Sequence, residues 1–253
     1  LLLGGTGEAL ALARKLAGDM RFNILYSVAG RTRAPLLPEG AKSRSGGFGG
    51  AAGLAEFLKD GHFDLLVDAT HPFAAQISAN AAAASASADI PLLSLRRPGW
   101  TSGEGDRWER VADMETAAGA LGLAPRRVLL TIGQLELAPF RGQPQHHYVI
   151  RSVEPPPEAL LPPSRTCLTA RGPFVLEGEL ELLTRERIDC LVTKNSGGSA
   201  TEAKLAAARQ LGLPVIMVER PLLPAVGSEV ISVEAALDWL DHFASSRPME
   251  RGV

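Results

Sequence analysis

The chain has 253 residues, 45% hydrophobic and 21% charged, which excludes disordered, collagen-like and low-complexity classes. At about 150 residues per domain it holds one large or two small domains. Its formal charge, 26 − 28 = −2, removes any global electrostatic case for nucleic acid.

Read in chain order, apolar runs of strand length alternate with Ala- and Leu-rich amphipathic stretches: LLL and EALALARKLA, FNILYSV, GLAEFLKD, DLLVDA, AAQISANAAAASA and PLLSL. The order then repeats as RVLLTI, QLELAPF, HYVIRSV, VLEGELELLTRE, DCLVT, ATEAKLAAARQLG, PVIMV and a closing EAALDWLDHFA. Such βα alternation predicts parallel sheets with helices on their faces. A nearly constant offset supports internal duplication. Ser27 to Ser152, Gly47 to Gly172 and Asp64 to Asp189 are each 125 apart, and Pro91 to Pro214 and Arg97-Pro98 to Arg220-Pro221 are 123 apart. The expected fold is α/β, with two Rossmann-like doubly wound halves meeting in the Gly- and Pro-containing stretch Arg96 to Arg110.

The chain opens at Leu1 without Met, so further residues are expected to precede it and to lengthen the first strand. LLLGG leads at once into a helix pattern rather than a cleavage site, and no apolar run approaches the roughly 20 residues that span a bilayer. Two cysteines, Cys167 and Cys190, make no disulfide framework, and both read as structural. A reducing, cytoplasmic setting is expected.

Ligands of open parallel sheets bind beyond the carboxyl ends of the strands. Gly4, Gly5, Thr6, Gly7 and Glu8 lie between a strand and a helix, where glycines admit a pyrophosphate to the free amides of the first helical turn. The match to Gly-x-Gly-x-x-Gly is incomplete, since Leu10 takes the third position, and a plain tight turn is the competing reading. After the second strand the chain reads Ser27 to Arg33 with no acid for a ribose hydroxyl. Arg31, with Arg33 as second candidate, suits the 2′-phosphate of NADP, the alternative being a solvated basic turn before Pro35. Thr70 and His71 follow the fourth apolar run, and His71 either faces a ligand near the cleft between the halves or packs against its own loop.

In the second half, Thr131 and Gly133 occupy the first strand end, and Arg151, Arg171, Lys194 and Arg220 end further strands. Converging cations suit a ligand with several carboxylates, although any one of them alone reads first as the partner of a nearby Glu on the surface. Lys194, Asn195, Ser196, Gly197 and Gly198 form a helix-start anion site without the order of a Walker loop. His146 and His147 open a strand, where alternation sends their rings to opposite faces, so no metal pair is expected.

At these residues the chain resembles the precorrin-6A reductase family, NADPH-dependent enzymes of the corrin ring pathway to cobalamin. The resemblance rests on LLLGGTGEALALA, DATHPFAAQIS, SLRRPGW, TIGQLELAPF, ARGPFVLEGELELL and TKNSGGSATEAKLAAARQLGLPVIMVERP. It implies an NADPH-binding half, residues 1–100, and a precorrin-binding half, residues 101–253, with PLLSL as the candidate for a strand exchanged between them. It further implies Gly5, Thr6, Gly7 and Glu8 as the coenzyme loop, Arg31 at the 2′-phosphate, and Thr70 and His71 near the nicotinamide. Thr131, Gly133, Arg171, Lys194, Asn195, Ser196, Gly197 and Arg220 become substrate-side residues. His71 and Lys194 are the candidates for a proton donor. The implied substrate is a metal-free macrocyclic polycarboxylate. A cobalt-bearing macrocycle, a two-lobed binding protein for a small acidic ligand and a methyltransferase are the alternatives, the last lacking its expected acid after the second strand.

Overall fold

The computed structural model describes residues 1–30, 34–225 and 227–246. Two compact units emerge, one of Leu1–Pro98 together with the segment from Leu222 onward, the other of Gly99–Pro221.

The first unit is a six-stranded parallel sheet. Its strands are β1 (Leu2–Leu3), β2 (Leu25–Val28), β3 (Lys42–Ser45), β4 (Leu66–Asp68), β5 (Leu92–Leu95) and β12 (Ser228–Val230), ordered β12-β5-β4-β1-β2-β3. Its helices are α1 (Gly7–Ala17), α2 (Gly50–Asp60), α3 (Ala75–Ala88) and α7 (Val233–Ser246). The continuous apolar runs divide by strand alternation. Leu2, Val67 and Leu93 pack with Leu12, Leu16 and Leu240 of α1 and α7, whereas Leu1, Leu3, Leu66 and Leu92 pack with Leu54 and Leu58 of α2. Both faces of the sheet are therefore covered, as an all-parallel sheet requires.

The second unit repeats the plan with β6 (Trp108–Val111), β7 (Arg127–Thr131), β8 (His147–Ser152), β9 (Arg165–Thr169), β10 (Cys190–Lys194) and β11 (Val215–Val218), ordered β6-β11-β10-β7-β8-β9. Helices α4 (Met114–Ala120), α5 (Leu176–Arg185) and α6 (Ala203–Gln210) flank it. QLELAPF, read above as an amphipathic stretch, forms only a 3₁₀ turn over Ala138–Gly142, with Pro139 in its first turn. The duplication reappears in the hydrogen bonds: Leu66 N–H donates to Pro91 O and Leu191 N–H to Pro214 O, both at 3.0 Å.

The chain does not divide once near residue 100. The boundary falls at Pro98–Gly99, but the closing segment returns to the first unit. The sixth strands are exchanged reciprocally: β6 pairs with β11 and β12 with β5. Arg96 N–H donates to Val230 O and Glu219 N–H to Val111 O, each at 2.8 Å, so the same bond closes both exchanged edges. PLLSL itself stays beside β4 as β5, correcting the expectation that it is the exchanged strand.

Candidate functional site

Local chemistry shapes the loop after β1. A Cβ on Gly4 would lie 2.3 Å from the Tyr26 ring, so only glycine lets this ring pack beneath the loop. Gly5 has φ +109°, with open space where a side chain would stand. Its N–H donates to the Tyr26 hydroxyl at 3.0 Å. Thr6 caps α1, accepting from Ala9 N–H at 3.1 Å while its hydroxyl donates to Ala69 O at 2.9 Å, which ties the loop to the end of β4. The donors remaining at this helix start are those of its first turn, Gly7 and Glu8 included, beside the open surface left by Gly5 and Gly7.

Thr70 and His71 join the same edge. Asp68 accepts from the Thr70 amide at 3.1 Å and from its hydroxyl at 2.7 Å, which fixes the threonine rotamer. His71 Nδ1 accepts from Phe73 N–H at 3.2 Å, a bond that assigns the neutral ring proton to Nε2. Thr6, Glu8, Thr70, Pro72, Leu95 and Arg97 line one recess. Arg97 Nη1 lies 2.5 Å from Glu8 Oε2. The structure thus brings Gly5, Thr6, Gly7, Glu8, Thr70 and His71 to the carboxyl ends of the adjacent strands β1 and β4. Arg31 and Arg33 lie outside the described residues. Arg44, which sequence reasoning missed, stands at the end of β3, donating to Ser27 Oγ at 2.9 Å and lying 3.9 Å above the Phe48 ring; burial lowers its pKa.

In the second unit, Thr131 and Lys194 end their strands, and Gly133, Arg171, Asn195, Ser196, Gly197 and Arg220 follow the carboxyl ends of strands. Arg151 pairs with Glu179 in the interior, Lys194 pairs with Glu136, and Arg220 donates to Asn195 O at 2.7 Å and Ser196 O at 2.9 Å. Arg171 is exposed. Asn195 is an internal clamp: its Oδ1 accepts from Trp100 N–H at 2.7 Å and its Nδ2 donates to Trp100 O at 3.2 Å. A Cβ on Gly99 would come within 3.0 Å of that Oδ1, which explains the glycine before Trp100. Gly133, at φ +96°, leaves Lys194 Nζ as its near neighbour.

Sequence reasoning also missed the partners Arg97, Glu136 and Glu179. Each sat in a quoted segment, but nothing local shows which strand end or helix start lies opposite. His146 and His147 have separate partners, Gly122 O for the first and the Ser164 and Thr166 hydroxyls for the second, so they form no metal pair. Among the described residues no cluster of metal-ligating side chains occurs, and no helix is long and apolar enough to cross a membrane.

Fold and site together define a two-unit, doubly wound α/β protein, and within each unit glycines, hydroxyls and ion-paired cations lie at the carboxyl ends of the parallel strands. The family model Precorrin-6x reductase CbiJ/CobK matches residues 1–241. The chain belongs to this precorrin-6x reductase family. It is 51% identical over 243 residues to a precorrin-6A reductase of Sinorhizobium sp, covering 95% of this chain and 93% of that one. To the precorrin-6A reductase of Rhodobacter capsulatus it is 48% identical over 248 residues, 98% of each chain. A cobalt-precorrin-6A reductase of Methanothermobacter thermautotrophicus is 29% identical over 262 aligned positions, covering 96% of this chain and 82% of that one. The solved structure described as CobK precorrin-6A reductase aligns with TM-score 0.91 and 47% identity, covering 100% of this chain and 98% of that one.

Proposed function

We propose that the protein is an NADPH-dependent reductase that converts precorrin-6A to precorrin-6B in cobalamin biosynthesis, working in the cytoplasm. The observation that carries this reading is the gradient of identity. Relatives named for the metal-free substrate are 43–51% identical across nearly the whole chain, whereas those named for the cobalt-bearing substrate are 28–29% identical. The metal-free macrocycle is accordingly the preferred substrate.

The first unit would hold the coenzyme. The open, left-handed Gly5 and the first-turn donors of α1 fit a pyrophosphate, and Gly4 over Tyr26 sets the loop's height. Arg31, with Arg33 second, would take the 2′-phosphate. NADPH, when bound, supplies the hydride that together with one proton reduces the conjugated system of the macrocycle. Thr70, held by Asp68, would orient the nicotinamide end, and His71, whose Nδ1 accepts from Phe73 N–H, would offer its Nε2 proton there. In the second unit Lys194, fixed by Glu136, and Arg171 would meet carboxylate arms. Asn195 and Arg220 would act by shaping the loop that presents Ser196 and Gly197.

Titration with NADPH and NADH side by side, repeated on Arg31→Ala, tests the coenzyme. NADPH preference that Arg31→Ala weakens by about tenfold, or about 1.4 kcal/mol, is the expected result. A turnover assay with precorrin-6A and with its cobalt complex then tests the substrate, and His71→Ala is expected to lower turnover modestly. Failure of the intact protein to bind either nucleotide would overturn the reductase reading and bring forward a two-lobed binding protein.

A further inference from the structure

We propose that Arg97 is a positioning residue for the phosphate end of the first unit's coenzyme site: it neutralises Glu8, which would otherwise repel the anion bound at the start of α1. The inference rests on the coenzyme reading above. Glu8 stands in the first turn of α1, next to the donors that suit a pyrophosphate. An acid is favourable there in the free protein, because the helix dipole is positive at that end. For an incoming phosphate the same acid is a liability, since like charges a few Å apart repel strongly where water is partly excluded.

Arg97 answers that liability from outside the helix. It follows β5, which is separated from β1 by β4 in the sheet, and its guanidinium reaches Glu8 beside Thr70 and Pro72. The two side chains are only 16% and 27% exposed, so solvent screens the pair incompletely.

The second unit shows the same device built from different parts. Leu3 pairs with Asp68 and Thr131 with Thr193, and 193 − 68 = 125 is the duplication offset, so Leu3 corresponds to Thr131. Counting on two residues matches Gly5 with Gly133, both with positive φ at +109° and +96°. Counting on five matches Glu8 with Glu136, since 8 − 3 = 136 − 131 = 5. Glu136 is neutralised too, but by Lys194 from β10 rather than by a residue after β11. The acid recurs and so does its neutralisation, while the cation changes strand.

The decisive measurement is the dissociation constant for NADP⁺ by calorimetry at fixed ionic strength, on the intact chain, R97Q, R97K, E8Q and the E8Q/R97Q double variant, with a thermal melt of each without nucleotide. R97Q is expected to weaken binding about tenfold, or about 1.4 kcal/mol. R97K should retain most of the affinity and E8Q should bind more tightly than the intact chain. The double variant should return to within about threefold of the intact chain, because removing the acid removes the need for its partner. A double variant as weak as R97Q would overturn the proposal, showing that Arg97 acts on the nucleotide itself. So would an R97Q that binds normally, or an E8Q that binds more weakly. If R97Q melts early, E8Q alone still decides, since its sign does not depend on the stability of R97Q. Absence of nucleotide binding by the intact chain would instead refute the coenzyme reading, and this proposal with it.

Discussion

Replacing Arg151 by Met separates a ligand-binding cation from one that holds the fold. Arg151 and Glu179 are 8% and 2% exposed, and Arg151 Nη1 lies 2.5 Å from Glu179 Oε1. The second carboxylate oxygen, Oε2, has no hydrogen-bond partner among the described residues, so Glu179 depends on this one bond. The guanidinium also lies 4.0 Å from the Phe174 ring centre. R151M strands a buried carboxylate, and breaking one side of such a pair costs about 3–5 kcal/mol. Replacing both residues, as R151M/E179M, removes the stranded charge and should recover most of that loss.

The assay is urea unfolding followed by tryptophan fluorescence in a W239F background. The two remaining indoles, Trp100 and Trp108, then both report the second unit. Comparing midpoints at unchanged slope gives the difference in stability. A loss below about 1 kcal/mol in R151M, or a double variant no better than the single one, would refute the argument. A stable double variant that no longer binds precorrin-6A would show that Arg151 contacts the ligand after all.

Two further outcomes follow from buried titratable groups. Burial pushes the Cys190 thiol up to about 11 while Cys167 is exposed, so a thiol reagent at pH 8 should react rapidly with one group per chain, and C167S should abolish that phase. Two equally fast thiols would contradict the packing of β10. Burial is likewise the main cause lowering the pKa of His146 and of His147, so the unfolded chain takes up protons that the folded chain resists. Folding stability should therefore fall as the pH drops through and below about 6.5, the unfolded histidine value, and H146Q should flatten that decline. A flat stability profile between pH 7 and 5.5 in the intact chain would contradict this.

Much of the architecture was legible because it is written in local periods. Leu1, Leu2 and Leu3 alternate between the two faces of one sheet, as an apolar run buried on both sides requires. Short polar strands escaped notice: β3 reads KSRS and β9 RTCLT, edge strands whose residues are largely outside the core. The glycine loop and the Thr70–His71 turn were legible as the ends of β1 and β4, because glycine or a Pro-containing turn after an apolar run is a local signal. The cation cluster read in the second half was half legible. The residues do end strands, but the acids that hold Arg151 and Lys194 come from α5 and from the loop after β7.

What the sequence determined by itself was the doubly wound class, the duplication and the placing of glycines and hydroxyls at the carboxyl ends of the strands, since each follows from residues close together along the chain or from a repeated offset. Only the tertiary structure decided the charge pairs and the strand exchange. Arg97 finds Glu8 because β5, β4 and β1 are laid side by side, an order no local pattern encodes. The exchange of β6 with β12 is a choice between two nearly equivalent sheet edges, closed in both units by the same 2.8 Å bond. A three- or four-residue strand fits either edge, so its place is set by the chain as a whole.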